Sequence, residues 1–293
     1  YVINIKRKKF KTMKKIDDKK NISSEWFKEL RNKICQELEK FEISGKKFKK
    51  KKWNRDIKGS NNLGGGEMSV LRGETFEKAG VNISTVFGPI SHELKGKIPG
   101  SKKTKNFWAS GISVVIHPYS PKIPAIHMNT RFIVTGKNWF GGGTDITPNN
   151  LKSLNSIKLA NYFHNQLKEI CERYQRGSYK KYKNWCDEYF FLPHRNEPRG
   201  LGGIFYDYLD SKNWESDFSF TKDVGQTFLN AYINITKKTI NMKWKESDKN
   251  LQLLRRSRYT EFNLLHDRGT KFGLQTNGNI DAIFMSLPPR TGW

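Results

Sequence analysis

"GISVVIHPYSPKIPAIHMNTRFI" (residues 111–133) sets two apolar runs on either side of a proline-bearing loop, yet carries two histidines, an asparagine and an arginine. Successive side chains of a strand point to opposite faces. His127, Asn129 and Arg131 stand at i, i+2 and i+4 and so share one face, with Met128, Thr130 and Phe132 on the other. Ser113, Val115 and His117 share a face in the same way. If 111–117 and 126–135 pair through the loop 118–125, these sets line one polar wall. A solvent-facing side of a sheet would also alternate, and stays open as the plainer reading. Against it, His and Asn are poor strand formers. An arginine beneath covering helices also needs a carboxylate, because loss of a buried charge's partner costs about 3–5 kcal/mol. A ligand carboxylate would serve.

Outward from this pair, residues 67–90 also have a strand pattern. "FGGGTDITPNN" (140–150) reads as a glycine- and proline-punctuated loop. Its three glycines allow close approach of backbone to a ligand, and Asp145 follows them; a tight turn is the alternative. The lysine and hydroxyl of a phosphate loop are missing. Trp26, Leu30, Ile34 and Leu38 predict a helix from Ser24, the candidate N-cap. Leu159, Phe163, Leu167, Ile170 and Tyr174 predict another over 156–174. Residues 179–208 start as a helix and break at Pro193; 223–240 is a further helix. Residues 43–66 read as loop, and "RYTEFNLL", "TKFGLQT" and "IDAIFMS" as a C-terminal strand meander. The expected fold is α+β: one domain with a large antiparallel sheet between layers of helices, over residues 24–293. Residues 1–23 read as a basic, weakly ordered extension.

The 293 residues carry a net charge of +26, and residues 1–60 hold 21 Lys and Arg against 8 Asp and Glu. Such a block suits nucleic acid or a solvated lysine-rich extension. With no stacking platform or nucleic-acid motif beside it, nucleic acid is not the expected partner. No run of 18 apolar residues offers a membrane span. The N-terminal stretch lacks the features of a secretory signal, and with no initiator Met the chain reads as a fragment or processed form. Three scattered cysteines, Cys35, Cys171 and Cys186, make no disulfide framework and suggest a reducing compartment. The absence of a CxxC pattern argues against a zinc ribbon or a cysteine-held cluster. His117, His127, His164 and His194 have no metal-motif spacing, so core or hydrogen-bonding roles stand beside a metal cluster. His92 and His266 have no context that raises them further.

Six segments, in order, resemble one known family. They are "VLRGETFEKAGVNIS" (70–84), the opening stretch as far as residue 132 (111–132), "WFGGGTDITP" (139–148), "YFHNQLKEIC" (162–171), "YKKYKNWCDEYFFLPHRNEPRGLGGIFYD" (179–207) and "RRSRYTEFNLLHDRGTKFGLQT…IDAIFMSLP" (255–288). The chain is similar to the oxygen-dependent coproporphyrinogen III oxidases. The resemblance implies oxidative decarboxylation of two propionates of coproporphyrinogen III to vinyls, giving protoporphyrinogen IX. It implies O2 as co-substrate, peroxide as product, no organic cofactor and a homodimer formed through the 251–279 region. By the same resemblance Ser113, Asn129, Thr130 and Arg131 bind substrate, together with the loop at Asn277, Gly278 and Asn279. His127 is the proton donor and Asp145 holds the pyrrole N–H groups. His117, His127, His164 and His194 match a divalent-metal set proposed for some members, whereas other members are thought to need no metal. The chain departs from the family pattern at Ser69, Asn138 and Asn277–Asn279, and stops earlier. The expected compartment is cytoplasmic, with the mitochondrial intermembrane space as the alternative. A nucleic-acid-binding or scaffold protein using residues 1–60 is the alternative function.

Overall fold

The computed structural model describes residues 15–55, 62–92, 95–275 and 278–293. Its frame is a seven-stranded antiparallel sheet, ordered β1-β2-β3-β4-β5-β6-β9. The strands are β1 (Lys49–Asn54), β2 (Gly64–Leu71), β3 (Lys78–Pro89), β4 (Asn106–His117), β5 (Ala125–Val134), β6 (Asn138–Thr147) and β9 (Gly203–Leu209). A two-residue pair, β7 (Phe191–Leu192) with β8 (Glu197–Pro198), lies apart.

Each strand sends one set of side chains toward the helices α1 (Ile16–Glu39), α2 (Leu154–Tyr174) and α4 (Trp214–Thr239). α1 crosses β3 and β4, α4 crosses β5 and β6, and α2 packs on α4 and β9. Ile112, Val114, Ile116, Ile126, Met128, Phe132, Ile146 and Ile204 from the sheet meet Phe27, Leu30, Ile34, Phe163, Leu167 and Phe228 in one core. Burying each such side chain contributes about 1.5–3 kcal/mol. The predicted stripes of α1 and α2 face the core, with Leu30, Ile34, Leu38, Leu159, Phe163, Leu167 and Ile170 buried and Trp26 and Tyr174 only partly so. Ser153 and Asn213 cap α2 and α4 by accepting from the backbone N–H three residues on.

The opposite sheet face is roofed at one end. Helix α5 (Glu246–Leu265) docks on the β4–β5 loop, where Gln252 and Arg256 both donate to the Pro118 carbonyl. After α6 (Arg268–Gln275), the short α7 (Ile280–Phe284) leads Met285 onto Gly80. A Cβ at residue 80 would stand 2.7 Å from the Met285 side chain. Helix α3 (Ser178–Tyr189) closes the β9 edge. The expected α+β architecture, with the sheet between helical layers, is the one observed.

Several local expectations are corrected. The C-terminal meander is helical: α5 buries Lys249, Gln252, Arg256, Tyr259 and Phe262 at three- and four-residue spacing. Its core face is largely polar, and hydropathy patterning overlooks such a face. The glycine run 140–150 is not a loop but strand β6, hydrogen-bonded on both sides. Within 43–66, the lysine run forms edge strand β1, paired to β2. Charged side chains on an edge oppose pairing with other chains, so Lys49–Lys52 have a structural use. The first helix begins at Ile16 rather than Ser24, with Asp17 and Asp18 in its first turn, favourable to the helix dipole. Residues 16–23 are therefore helical; 1–14 lie outside the described residues. Helix α3 stops at Tyr189, before Pro193.

Candidate active site

The pairing predicted from residues 111–133 is present in register: Val115 opposite His127, Ser113 opposite Asn129, Gly111 opposite Arg131. On the next strand His127 faces Asp145 and Arg131 faces Gly141. Ser113, His127, Asn129, Arg131 and Asp145 thus stand on one face, opposite the helix-covered core. Gly66, Gly80, Gly111, Gly141, Gly143 and Gly203 share that face by register. With no Cβ at these positions, side chains from elsewhere lie low over this glycine floor of the sheet: Trp53 over Gly66, Met285 over Gly80 and Arg131 over Gly141.

Arg131 uses the floor directly. Its guanidinium passes over Gly141 to reach Asp207 on β9, with Nη2 to Oδ2 at 2.7 Å, while Nη1 donates to Asn129 Oδ1 at 3.2 Å. A Cβ at Gly141 would come within 2.4 Å of Asp207 and about 3.0 Å of the guanidinium. The pairing of β6 with β9 slips between Phe140 and Gly142. Such an irregularity re-aims a side chain, and Asp207 sits beside it.

Asp145 is the buried anchor. Its Oδ1 accepts from His127 Nδ1 at 2.9 Å and its Oδ2 from Arg199 Nη2 at 2.7 Å. Burial pushes the Asp145 carboxyl up, but Arg199 and His127 outweigh it and hold the group below its ordinary range. Burial opposes the Arg199 charge, and Asp145 more than restores it. The guanidinium lies 3.8 Å above the Phe190 ring, with Tyr259 and Phe262 also within 5 Å. This aromatic box fixes the arginine in a dry setting, where a fully ionised pair persists only if both partners are well held. A carboxylate only accepts, so the imidazole nitrogen facing it carries the proton, and Nε2 is the free ring nitrogen. The Asp145 side chain is 2% exposed and that of His127 20%; the histidine is the member of the row Arg199–Asp145–His127 that meets the cleft.

Not every sequence-designated residue is here. Thr130 is fully buried on the helix side, so its side chain turns away from the cleft. Ser69 is also on that side, where its hydroxyl accepts from Arg31. Asn277 lies outside the described residues. Gly278 and Asn279 sit where α6 gives way to α7, and the Asn279 side chain caps α7 at Ala282 N–H. The four histidines go to four separate settings. His117 Nε2 meets the Ser286 carbonyl at 2.9 Å, and burial drives its pKa down to about 3. A void of about 10 Å³ beside it, with His117 Nδ1 and Gln252 Oε1 unpaired, is a one-water space. His164 bridges the Leu201 carbonyl and the Tyr179 hydroxyl, and His194 pairs with Glu261 and His266. Among the described residues no group of three or more His, Cys, Asp or Glu is placed to hold a metal. The proposed four-histidine set is not assembled, and no step below is routed through a metal.

Arg199 and Asp207 were missed. Both belong to "PRGLGGIFYD", where Gly203, Phe205 and Asp207 alternate as a strand; that alternation was a signal for Asp207, whereas Arg199 precedes the strand and had none. A separate open hollow of about 390 Å³, lined by Lys20, Phe107, Trp108 and Val134 among others, lies at another part of the sheet, by the start of α1.

A glycine-floored sheet face bearing a half-buried arginine and a histidine backed by an ionised carboxylate defines an α+β enzyme whose sheet carries the reactive groups. The chain belongs to the coproporphyrinogen III oxidase family, whose sequence pattern it matches over residues 22–293. It is 51% identical to an oxygen-dependent coproporphyrinogen-III oxidase of Rickettsia bellii (strain OSU 85-389), over 94% of this chain and 99% of that protein. It is equally identical to the proteins of that name from Rickettsia rickettsii (strain Sheila Smith) and Rickettsia akari (strain Hartford), over 93% of this chain and 97% of each. Family membership makes it an oxidoreductase. Among the described residues no helix is long and apolar enough to cross a membrane.

Proposed function

We propose that the chain catalyses the aerobic decarboxylation of two propionates of coproporphyrinogen III to vinyls, giving protoporphyrinogen IX in haem biosynthesis. The observation that carries this reading is the placement of Arg131 and the Asp145-backed His127 on one half-buried, glycine-floored face. Each step converts one propionate, one O2 and one proton into one vinyl, one CO2 and one H2O2. A C–C bond to the carboxylate and a C–H bond on the carbon next to the ring break. A C=C bond forms, and the two electrons and the hydrogen pass to oxygen.

Arg131 binds a substrate carboxylate through its planar fork, a charge-assisted contact of about 1.5–3 kcal/mol. Both Asp145 oxygens are engaged by His127 and Arg199, so His127 rather than Asp145 meets the pyrrole N–H here: its Nε2 takes a proton as base before it can return it as the donor the resemblance implies. Asp145 acts through His127, orienting the ring and balancing positive charge that develops there and on the pyrrole. The electron-rich pyrrole reacts with oxygen itself, while α5 and the segment after α7 roof one end of the face. The reading takes O2 as co-substrate and includes no organic cofactor.

A homodimer and a cytoplasmic location complete the reading. Exposed Leu264, Leu265, Phe272 and Leu274 on α5 and α6 support an apolar contact in the expected 251–279 region. All three cysteines are free and buried, which suits a reducing compartment. The test is incubation with coproporphyrinogen III with and without O2, followed by chromatography of the oxidised products. Divinyl product is expected only with O2; its absence in both arms would refute the assignment.

A further inference from the structure

The polar face continues past Ser113 to a pair that the chemistry above does not use. Trp53, on edge strand β1, lies over Gly66, where a Cβ would stand 2.6 Å from the indole. Its Nε1 is 3.0 Å from Asn82 Oδ1. An indole N–H only donates, so it fixes which end of the Asn82 amide is oxygen. The amide NH2 is thereby set as a pair of donors without a protein partner among the described residues. Asn82 pairs in register with Ser113, and Ser113 with Asn129. These three residues, with Trp53, are half-buried and on the cleft side of the sheet. Two strand spacings, about 10 Å, separate Asn82 from Asn129. That span suits carboxylates at different corners of one macrocycle.

We infer that Trp53 and Asn82 form a second carboxylate subsite, in which the Asn82 amide donates to a propionate remote from Arg131 while the indole face packs against the adjoining pyrrole. This deepens the proposed function and rests on it for the identity of the substrate. The subsite would make the enzyme read how many carboxylates the ligand carries. A purely structural Trp53–Asn82 brace would instead hold β1 to the sheet and leave ligand selectivity alone.

Asn82→Asp and Trp53→Phe separate the two. In Asn82→Asp a fixed anion replaces the donor. The KM for coproporphyrinogen III is expected to rise about tenfold or more, with kcat within about twofold. Trp53→Phe keeps a ring but frees the amide to flip, and a smaller rise of about threefold is expected. Binding is read independently by fluorescence titration with coproporphyrin III, which has four carboxylates, and mesoporphyrin IX, which has two. Asn82→Asp should weaken only the former, and thermal melts report whether each variant is folded. An unchanged KM in folded Asn82→Asp, or equal weakening of both porphyrins, would overturn the subsite. Failure of the wild type to form divinyl product would count against the proposed function, while the porphyrin titrations would still decide the subsite.

Discussion

The two faces of β5 divide the labour of the molecule. Ile126, Met128, Thr130 and Phe132 point into the helix-covered side and are buried, whereas His127, Asn129 and Arg131 are half-buried on the other. Phe132 alone stacks on Phe140 at 4.6 Å and meets Trp108 and Trp214 edge-on. One face is filled and closed by helices; the other is kept low by glycines and leaves His127 and Arg131 partly exposed. The pleat keeps stability and chemistry one residue apart, so neighbouring substitutions should have opposite signatures.

The sharpest break is at His127. His127→Gln is expected to lower kcat by about 10²–10⁴-fold, the usual range for a general acid–base group. The buried Arg199–Asp145 pair remains, so the melting temperature should barely move; a parallel loss of fold would merge the two faces and contradict the division. Phe132→Ala should do the reverse and cost about 3–5 kcal/mol of stability in denaturant titration, with KM for the folded fraction unchanged. Arg131→Leu removes the fork and should raise KM about 10- to 100-fold in steady-state assays.

The smallest effect concerns the roof. Glu77 holds Arg256 at 2.8 Å, Arg290 at 2.7 Å and Lys249 at 3.7 Å. Burial pushes the Glu77 carboxyl up, but these cations outweigh it and depress its pKa below the ordinary 4.5. A carboxyl depressed in the folded state contributes stability that is complete above the unfolded value and lost as pH falls through the folded one. Thermal melts should therefore fall below pH 4.5. Glu77→Gln should flatten that dependence and lower the neutral-pH midpoint by roughly 2–4 °C.

Alternation in 111–133 made the floor legible, because period two needs no tertiary knowledge. The stripes of α1 and α2 were legible for the same reason. Helix α5 was not, because Lys249, Gln252 and Arg256 face inward to satisfy loop carbonyls at Pro118 and Tyr119. Local pattern takes such residues as exposed. Glycines 141–143 read as part of a loop, since nothing local reveals that Arg131 must pass over one of them. Arg199 and Asp207 reach the site from 54 and 76 residues away in sequence, and no local pattern shows which residues they pair with. Thr130 was assigned to the substrate through its neighbours in the run 129–131, although the same alternation places it with the core.

The account rests on the polar face being where the tetrapyrrole sits. A crystal structure of the chain with coproporphyrin III tests this most directly. The macrocycle is predicted over Gly111 and Gly141, with one carboxylate on Arg131 and a pyrrole nitrogen facing His127. Density instead in the hollow by Lys20 and Trp108, with the face around Arg131 unaltered, would contradict it.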